Sequence, residues 1–157
     1  MARHARCGHD IPEIVTRGRR LFAQVALALF FAWLAGIATA QDATATAVQQ
    51  IAREWLALVD RGDAAASHAA AAARFRSAIT RERWTDALTA ARAPFGALEQ
   101  RSVLSTRFEK SFPGAPDGSY AIVLFRTSFA KKVDGRETVT LEREADGAWR
   151  VVGYFIQ

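Results

Sequence analysis

The side chains of this sequence that could do chemistry are mainly arginines and carboxylates. Glu137 lies near the start of the third predicted strand, where it could serve as a general base. Arg92 and Arg101 could hold an anionic group beside it, because the guanidinium fork fits carboxylates and phosphates. The simpler interpretations are structural. Glu137 and Arg101 would then form an edge-strand ion pair of little energetic worth, and Arg92 would cap a helix C-terminus.

The other titratable candidates also have structural interpretations. Asp60 and Asp63 flank Gly62, so we expect them to end one helix and cap the next rather than to act as an acid–base pair. His68 lies in an alanine-rich segment and is expected to be solvated, with general-base chemistry as the alternative. After residue 40 there is one histidine and no cysteine, so the sequence predicts no metal site and no cofactor.

Large aromatic side chains give a second set of candidates. Their spacing favours core positions, and the alternative is that they line the mouth of a pocket. Combined with the charged candidates, they define one predicted ligand pocket, whose members are Trp55, Trp84, Arg92, Arg101, Glu137 and Tyr154.

The first 40 residues have the three-part pattern of a secretory signal peptide. Arg17, Arg19 and Arg20 precede an apolar run at 21–37, and the small residues at 38–40 suit signal peptidase. We therefore expect a signal peptide at 1–40 and one domain at 41–157, placed in the periplasm or secreted. The alternative is an uncleaved membrane anchor, since the run is barely long enough to span a bilayer. Ile37 stands where a lipoprotein needs its cysteine, so lipidation is excluded.

Export changes the composition that bears on function. The whole chain has 21 basic and 16 acidic residues, and five of the basic and two of the acidic ones lie in the leader together with Cys7. The remaining domain is nearly neutral and has no disulfide, so its core alone must hold the fold. Its basic residues are scattered rather than arranged in a stripe, which argues against nucleic-acid binding.

Three predicted helices must position the candidate residues from one side of the domain. Apolar residues recur at helical spacing from Val48 to Val59, and Gly62 ends that helix. Residues 64–78 form a second, alanine-rich helix. Thr80 caps a third helix, which ends at Pro94 and Gly96.

Four strands follow, at about 98–110, 119–130, 136–144 and 148–156. Each intervening loop ends in Asp-Gly, at 117–118, 134–135 and 146–147, which favours tight turns. Short loops make neighbouring strands antiparallel, so the predicted fold class is α+β, with three helices on a curved four-stranded meander. Strands two and four are apolar on both faces. One face of the sheet packs against the helices. The simplest partner for the other, open face is a second copy of the chain, which would give a homodimer.

Four segments of the domain resemble a bacterial family of uncharacterised proteins, domain of unknown function 4019. They are Trp55–Asp63, Ala91–Gly96 with Arg101, Pro113–Tyr120 and Gly147–Ile156. More distantly, helices followed by a sheet that ends in Asp-Gly-x-Trp-Arg-Val resemble the nuclear-transport-factor-2-like superfamily. The resemblance implies a cone-like fold with a pocket between sheet and helices. It implies no activity, because that fold carries both enzymes and binding modules.

Two functions follow as hypotheses. The first is an exported, non-catalytic module that binds a small molecule or a protein. The alternative is a small isomerase- or hydrolase-like enzyme, with Glu137 as base and Arg92 or Arg101 holding an anion. The absence of a nucleophile elbow, a glycine-rich phosphate loop and a set of metal ligands favours the first.

Overall fold

The computed structural model describes residues 42–112 and 114–157, of which 43–157 form one compact unit. The predicted leader and its boundary at residue 40 lie outside the described residues. No helix in the described part of the chain is long and apolar enough to cross a membrane. Four helices precede four strands: α1 (42–60), α2 (Ala64–Ala70), α3 (Ala73–Ala78), α4 (Arg81–Arg92), β1 (Leu98–Glu109), β2 (Tyr120–Phe129), β3 (Lys132–Arg143) and β4 (Trp149–Ile156).

The four strands form one antiparallel sheet in chain order, so β1 and β4 are its edges. This confirms the predicted α+β class and the predicted meander. We call the side of the sheet that meets the helices the inner face. Contacts of helical side chains mark it: Gln49 bonds to Thr106 on β1, and Arg53 lies over the ring of Phe125 on β2. The opposite side is the outer face.

The end of α1 follows from its sequence as predicted. Gly62 has a φ of 71°, and its N–H bonds to Val59 O while the N–H of Asp63 bonds to Leu58 O. This pair of bonds is a Schellman motif, which satisfies the last carbonyls of a helix. The Asp63 carboxylate then accepts from Ala66 N and caps α2, as predicted.

The predicted helix over 64–78 is wrong in one respect, because the chain breaks it into α2 and α3. The break lies at Ala71 and Ala72, which are buried, and the N–H of Ala72 donates to Val151 O on β4 at 2.8 Å. Glu144 caps the first turn of α3 by accepting from Ala73 N. Hydrogen bonds to β4 and its turn thus outweigh the helix propensity of the alanine run.

The three predicted Asp-Gly turns have different outcomes. In the loop that contains 117–118, between β1 and β2, the glycine with positive φ is Gly114 and not Gly118. Gly147 adopts a φ of 82°, as its turn requires. Asp134 and Gly135 lie instead inside β3, because β2 and β3 are joined by a tight turn at 130–131. At Gly135, a Cβ would lie 3.0 Å from Thr127 O and 3.1 Å from the Phe129 ring, so glycine serves close packing there.

Aromatic side chains fill the space between the helices and the sheet. Trp55, Trp84 and Phe125 are all buried, and the Trp55 and Trp84 ring centroids lie 5.9 Å apart. Both indole N–H groups donate to buried Ser67, Trp55 to its carbonyl and Trp84 to its hydroxyl. The polar edges of both rings are therefore satisfied inside the core.

Candidate functional site

Four charged side chains meet on the inner face, each from a different element. Asp60 is the last residue of α1, Arg92 the last of α4, Arg101 lies on β1 and Glu137 on β3. We call these four residues the buried ion cluster. The structure thus brings together the three charged members of the predicted pocket. Asp60 was missed as a partner, although a carboxylate at a helix C-terminus is unfavourable for the helix dipole and signals the need for a cation.

Glu137 accepts four hydrogen bonds, two on each carboxylate oxygen. Oε1 accepts from Arg92 Nη1 at 3.1 Å and from the Tyr154 hydroxyl at 2.7 Å. Oε2 accepts from Arg101 Nε and from the Thr127 hydroxyl, both at 2.7 Å. These bonds occupy all the acceptor positions of a carboxylate.

Asp60 closes the cluster into a ring of alternating charges. Arg92 Nη2 lies 2.8 Å from Asp60 Oδ1, and Arg101 Nη1 and Nη2 lie 2.7 and 2.9 Å from its two oxygens. Each arginine therefore bridges both carboxylates, and the cluster as a whole is neutral. The Arg92 guanidinium also lies 4.7 Å above the centre of the Phe129 ring, which is a cation–π contact.

Burial decides between the earlier interpretations of these residues. The side chain of Glu137 is 0% exposed, Arg101 8%, Arg92 13% and Asp60 15%. The edge-strand interpretation of the Glu137–Arg101 pair is wrong, because β3 is an interior strand and Glu137 is covered by the helices. Arg92 and Asp60 do end their helices, but their charges are satisfied by the cluster and not by helix capping.

The electrostatics follow from this burial. Burial opposes the charge of Arg101, but the hydrogen bonds to Asp60 and the charge of Glu137 outweigh it and raise the pKa of Arg101. For Tyr154, burial and then the charge and hydrogen bond of Glu137 raise the pKa, against a smaller opposing effect of Arg92. Both residues therefore keep their protons throughout the physiological pH range.

This arrangement is poorly suited to acid–base chemistry. A general base needs a lone pair within hydrogen-bond reach of a substrate proton, and all four positions on Glu137 already accept from the protein. Glu137 also lines none of the three clefts described below. The contacts instead make the cluster a tie between α1, α4, β1 and β3.

His68 is half-buried and held by a hydrogen bond, so the expected solvated position is only partly met. Its Nε2 lies 2.8 Å from Ile79 O, and its ring packs against Phe75. It therefore links α2 to the residue that follows α3. Within the described residues, no group of three or more histidine, cysteine, aspartate or glutamate side chains is arranged to hold a metal ion.

A cleft of about 480 Å³ lies between α3, the end of the β1–β2 loop and the β3–β4 turn. Three of the four carboxylates that line it are paired: Glu142 with Arg74, and Glu144 and Asp146 with Arg150, while Arg143 donates to Gly147 O. We call Glu144, Asp146 and Arg150 the turn cluster. The hydrogen bond from Arg150, with a further one from Ala148 N, lowers the pKa of Asp146 to about 2.

Two smaller clefts divide the aromatic members of the predicted pocket between them. A groove of about 320 Å³ has Trp55 at its floor, between Ile51 and Leu58 of α1. A cleft of about 220 Å³ lies between α4 and the end of β4, and Trp84 and Tyr154 line it. The six predicted residues therefore do not form one pocket: three belong to the buried ion cluster, one to the groove and two to this cleft.

The outer face carries apolar side chains at its centre. Within residues 42–112 and 114–157, no hydrogen bond or ring contact connects a helix to them. Phe155 is 59% exposed and Leu104 40% exposed, and Arg126 and Arg136 lie opposite each other on the rim. We call a row of side chains that crosses all four strands the outer patch: Leu104, Ile122, Leu124, Thr138 and Phe155.

Comparison with known proteins gives a family and no function. Neither a curated protein nor a solved structure matches the chain. The distant resemblance to the nuclear-transport-factor-2-like superfamily therefore stays a prediction. The sequence profile of one family, described as protein of unknown function (DUF4019), matches residues 51–154. That range covers most of the chain and includes the whole buried ion cluster, so the chain belongs to the DUF4019 family.

Proposed function

We propose that this protein is an exported, non-catalytic module that binds a partner protein through the outer face of its sheet. The observation that carries the proposal is the outer patch, where Phe155 and Leu104 remain exposed while the inner face is filled. Single exposed apolar residues are common, but a group of them on one sheet face is typical of an interaction surface.

The closed state of the buried ion cluster supports a non-catalytic role. An enzyme of this fold would need Glu137 or its arginines to face a substrate. Glu137 instead accepts four hydrogen bonds from the protein, and both arginines pair with Glu137 and Asp60. Opening the cluster for a ligand would leave buried charges unpaired, which is strongly unfavourable.

The shape of the surface favours a protein over a small molecule. Small-ligand sites are concave and bury most of the ligand, whereas the outer patch lies on a sheet face with a charged rim. The 480 Å³ cleft is large enough for a small ligand, but Arg74 on its wall already pairs with Glu142, and Glu144 and Asp146 already pair with Arg150. The export of the module is inferred from the leader pattern at 1–40.

Site-specific photocrosslinking in the native host tests the proposal. A benzoylphenylalanine in place of Leu104 reports on the outer patch. The same residue in place of Val133 is a matched control, because Val133 is 76% exposed but lies next to the β2–β3 turn. We expect a discrete covalent adduct from position 104 and none from position 133.

The mass of the adduct identifies the occupant. A mass equal to two chains would support the homodimer through the outer face that the sequence predicts, and any other discrete mass would support a different protein. The absence of a discrete adduct at position 104, or equal adducts at both positions, would contradict the proposal.

A further inference from the structure

The last residues of β4 present backbone groups to the free edge of the sheet. Arg136 and Gln157 exchange both of their backbone hydrogen bonds, so they form a hydrogen-bonded pair of the β3–β4 ladder. In an antiparallel ladder such pairs alternate, so the N–H and C=O of Tyr154 and Ile156 point away from β3. In the described part of the chain, no turn, cap or side-chain hydrogen bond reaches these four groups.

The two edges of the sheet differ in how they are protected. The β1 edge carries Glu99, Arg107 and Glu109, and charges of this kind discourage pairing with another strand. Residues 152–156 of β4 contain neither a charge nor a proline. Nearer the start of β4, the N–H of Ala72 already occupies the carbonyl of Val151. The unprotected part of the edge is therefore confined to the end of β4.

A cleft runs beside this unprotected part. It has a volume of about 220 Å³ and is lined on one side by α4 and on the other by residues 154–156. Ala87 and Ala91 of α4 face it with small side chains. An added strand would have room on its inner side for the side chains that alternate toward α4.

We propose that a second copy of this chain pairs with the free edge of β4, antiparallel and about a two-fold axis at Phe155. Tyr154 of each copy then exchanges both backbone hydrogen bonds with Ile156 of the other, which gives four bonds in all. The two Phe155 residues face each other as a non-hydrogen-bonded pair, where side chains are closest. This register ends before the irregularity in the β3–β4 pairing at Thr140–Leu141 and leaves the Ala72–Val151 bond intact.

A second copy fits this edge because the segment is complementary to itself. A two-fold operation places the same apolar residues opposite each other without bringing like charges together. The result is one eight-stranded sheet, in which the outer faces of the two copies form one continuous surface. The inference goes beyond the proposed function, because it concerns the edge of the sheet. Of the outer patch it engages Phe155 alone, and it leaves Leu104, Ile122, Leu124 and Thr138 free for a partner.

A proline at position 156 separates edge pairing from folding. The Ile156 N–H faces the free edge and not β3, so Ile156→Pro removes an edge donor and keeps the β3–β4 ladder. Ile156→Val is the matched control, because it keeps the donor and the β-branched shape. In sedimentation equilibrium of the full chain, purified in the form that the host accumulates, we expect Ile156→Pro to weaken dimerisation at least about tenfold and Ile156→Val to change it little.

Disulfide trapping gives a second readout that does not depend on proline. In the proposed register the two Cα atoms at position 155 lie about 4.5 Å apart, which is within the range of a disulfide. With Cys7→Ser as background, Phe155→Cys should form a covalent dimer under mild oxidation much faster than Val133→Cys. The native domain after residue 40 has no cysteine to interfere.

Three results would overturn the inference. They are a wild-type chain that stays monomeric at every concentration, equal crosslinking at positions 155 and 133, or a dimer abolished by Leu104→Asp and unaffected by Ile156→Pro. The third result would place the second copy on the outer face. Failure of the proposed function is distinguishable, because Leu104 lies on the opposite edge strand and its photocrosslinks do not depend on β4 pairing.

Discussion

The buried ion cluster and the turn cluster use the same chemistry in two different settings. Both pair arginine with carboxylates at hydrogen-bonding distance. The buried ion cluster joins residues from four elements and is almost sealed from solvent. The turn cluster joins residues within six positions of each other at a hairpin, and Asp146 is 55% exposed. Similar ion pairs therefore have very different energetic roles in the two clusters.

Because it is buried, the buried ion cluster affects which arrangement of helices and strands the chain adopts as much as it affects stability. Bringing four charges out of water costs free energy that their mutual attraction only partly returns. What the cluster does is penalise every arrangement in which α1, α4, β1 and β3 are displaced, because any displacement leaves a buried charge unpaired. The turn cluster has a weaker effect of this kind, because Asp146 and Arg150 are more exposed and water can replace part of each lost contact.

The largest expected effect comes from removing one buried charge without changing its shape. Glu137→Gln leaves two arginines facing one carboxylate and places an amide N–H₂ against existing donors. We expect it to lower the free energy of unfolding by about 3–5 kcal/mol, measured by urea denaturation. Glu144→Gln makes the same chemical change in the turn cluster and should have a much smaller effect. Equal losses in the two variants would show that burial does not separate the clusters.

A smaller effect is expected from Tyr154→Phe, which removes one of the four bonds to Glu137. The loss of a hydrogen bond to a charged group predicts a destabilisation of about 1–3 kcal/mol near neutral pH.

The pH dependence of this variant tests the electrostatics of the cluster. The pKa of Tyr154 is raised in the folded protein, whereas an unfolded tyrosine ionises near pH 10. The stability that this residue contributes is therefore fully present below about pH 10 and is lost as the pH rises further. The Phe variant should lose less stability than wild type between about pH 10 and 11. Parallel curves in urea denaturation would contradict this.

The two clusters also show which features a sequence can predict. The caps at Gly62 and Asp63 and the turn at Gly147 depend on neighbours within a few residues, and they were predicted correctly. The break at Ala72 depends on Val151, far along the chain, and overrides a strong local helix propensity. Asp60 was missed for the same reason, since its partners Arg92 and Arg101 become neighbours only when helices and sheet assemble.

The same limit explains the outcome for the predicted pocket. Residue types associated Arg92 and Arg101 with Glu137, because a guanidinium fork pairs with a carboxylate. Tyr154 was placed with the aromatic residues, so its hydrogen bond to Glu137 was missed. Whether that group is open to a ligand depends on how the aromatic core fills the space above it. This is a property of packing volume, and no local pattern encodes it.

The smallest expected effect lies in the turn cluster and tests the exposed side of the comparison. Asp146→Asn can keep the acceptor for Ala148 N, but it removes the charge and the oxygen that accepts from Arg150 Nη2. Because the pKa of Asp146 is lowered to about 2, from an ordinary value of about 3.9, its contribution is present above about pH 4 and is lost as the pH falls toward 2. The melting temperatures of the variant and wild type should differ slightly at neutral pH, less in high salt, and least near pH 2. A loss comparable to that of Glu137→Gln would mean that the hairpin, and not the buried ion cluster, holds the sheet in place.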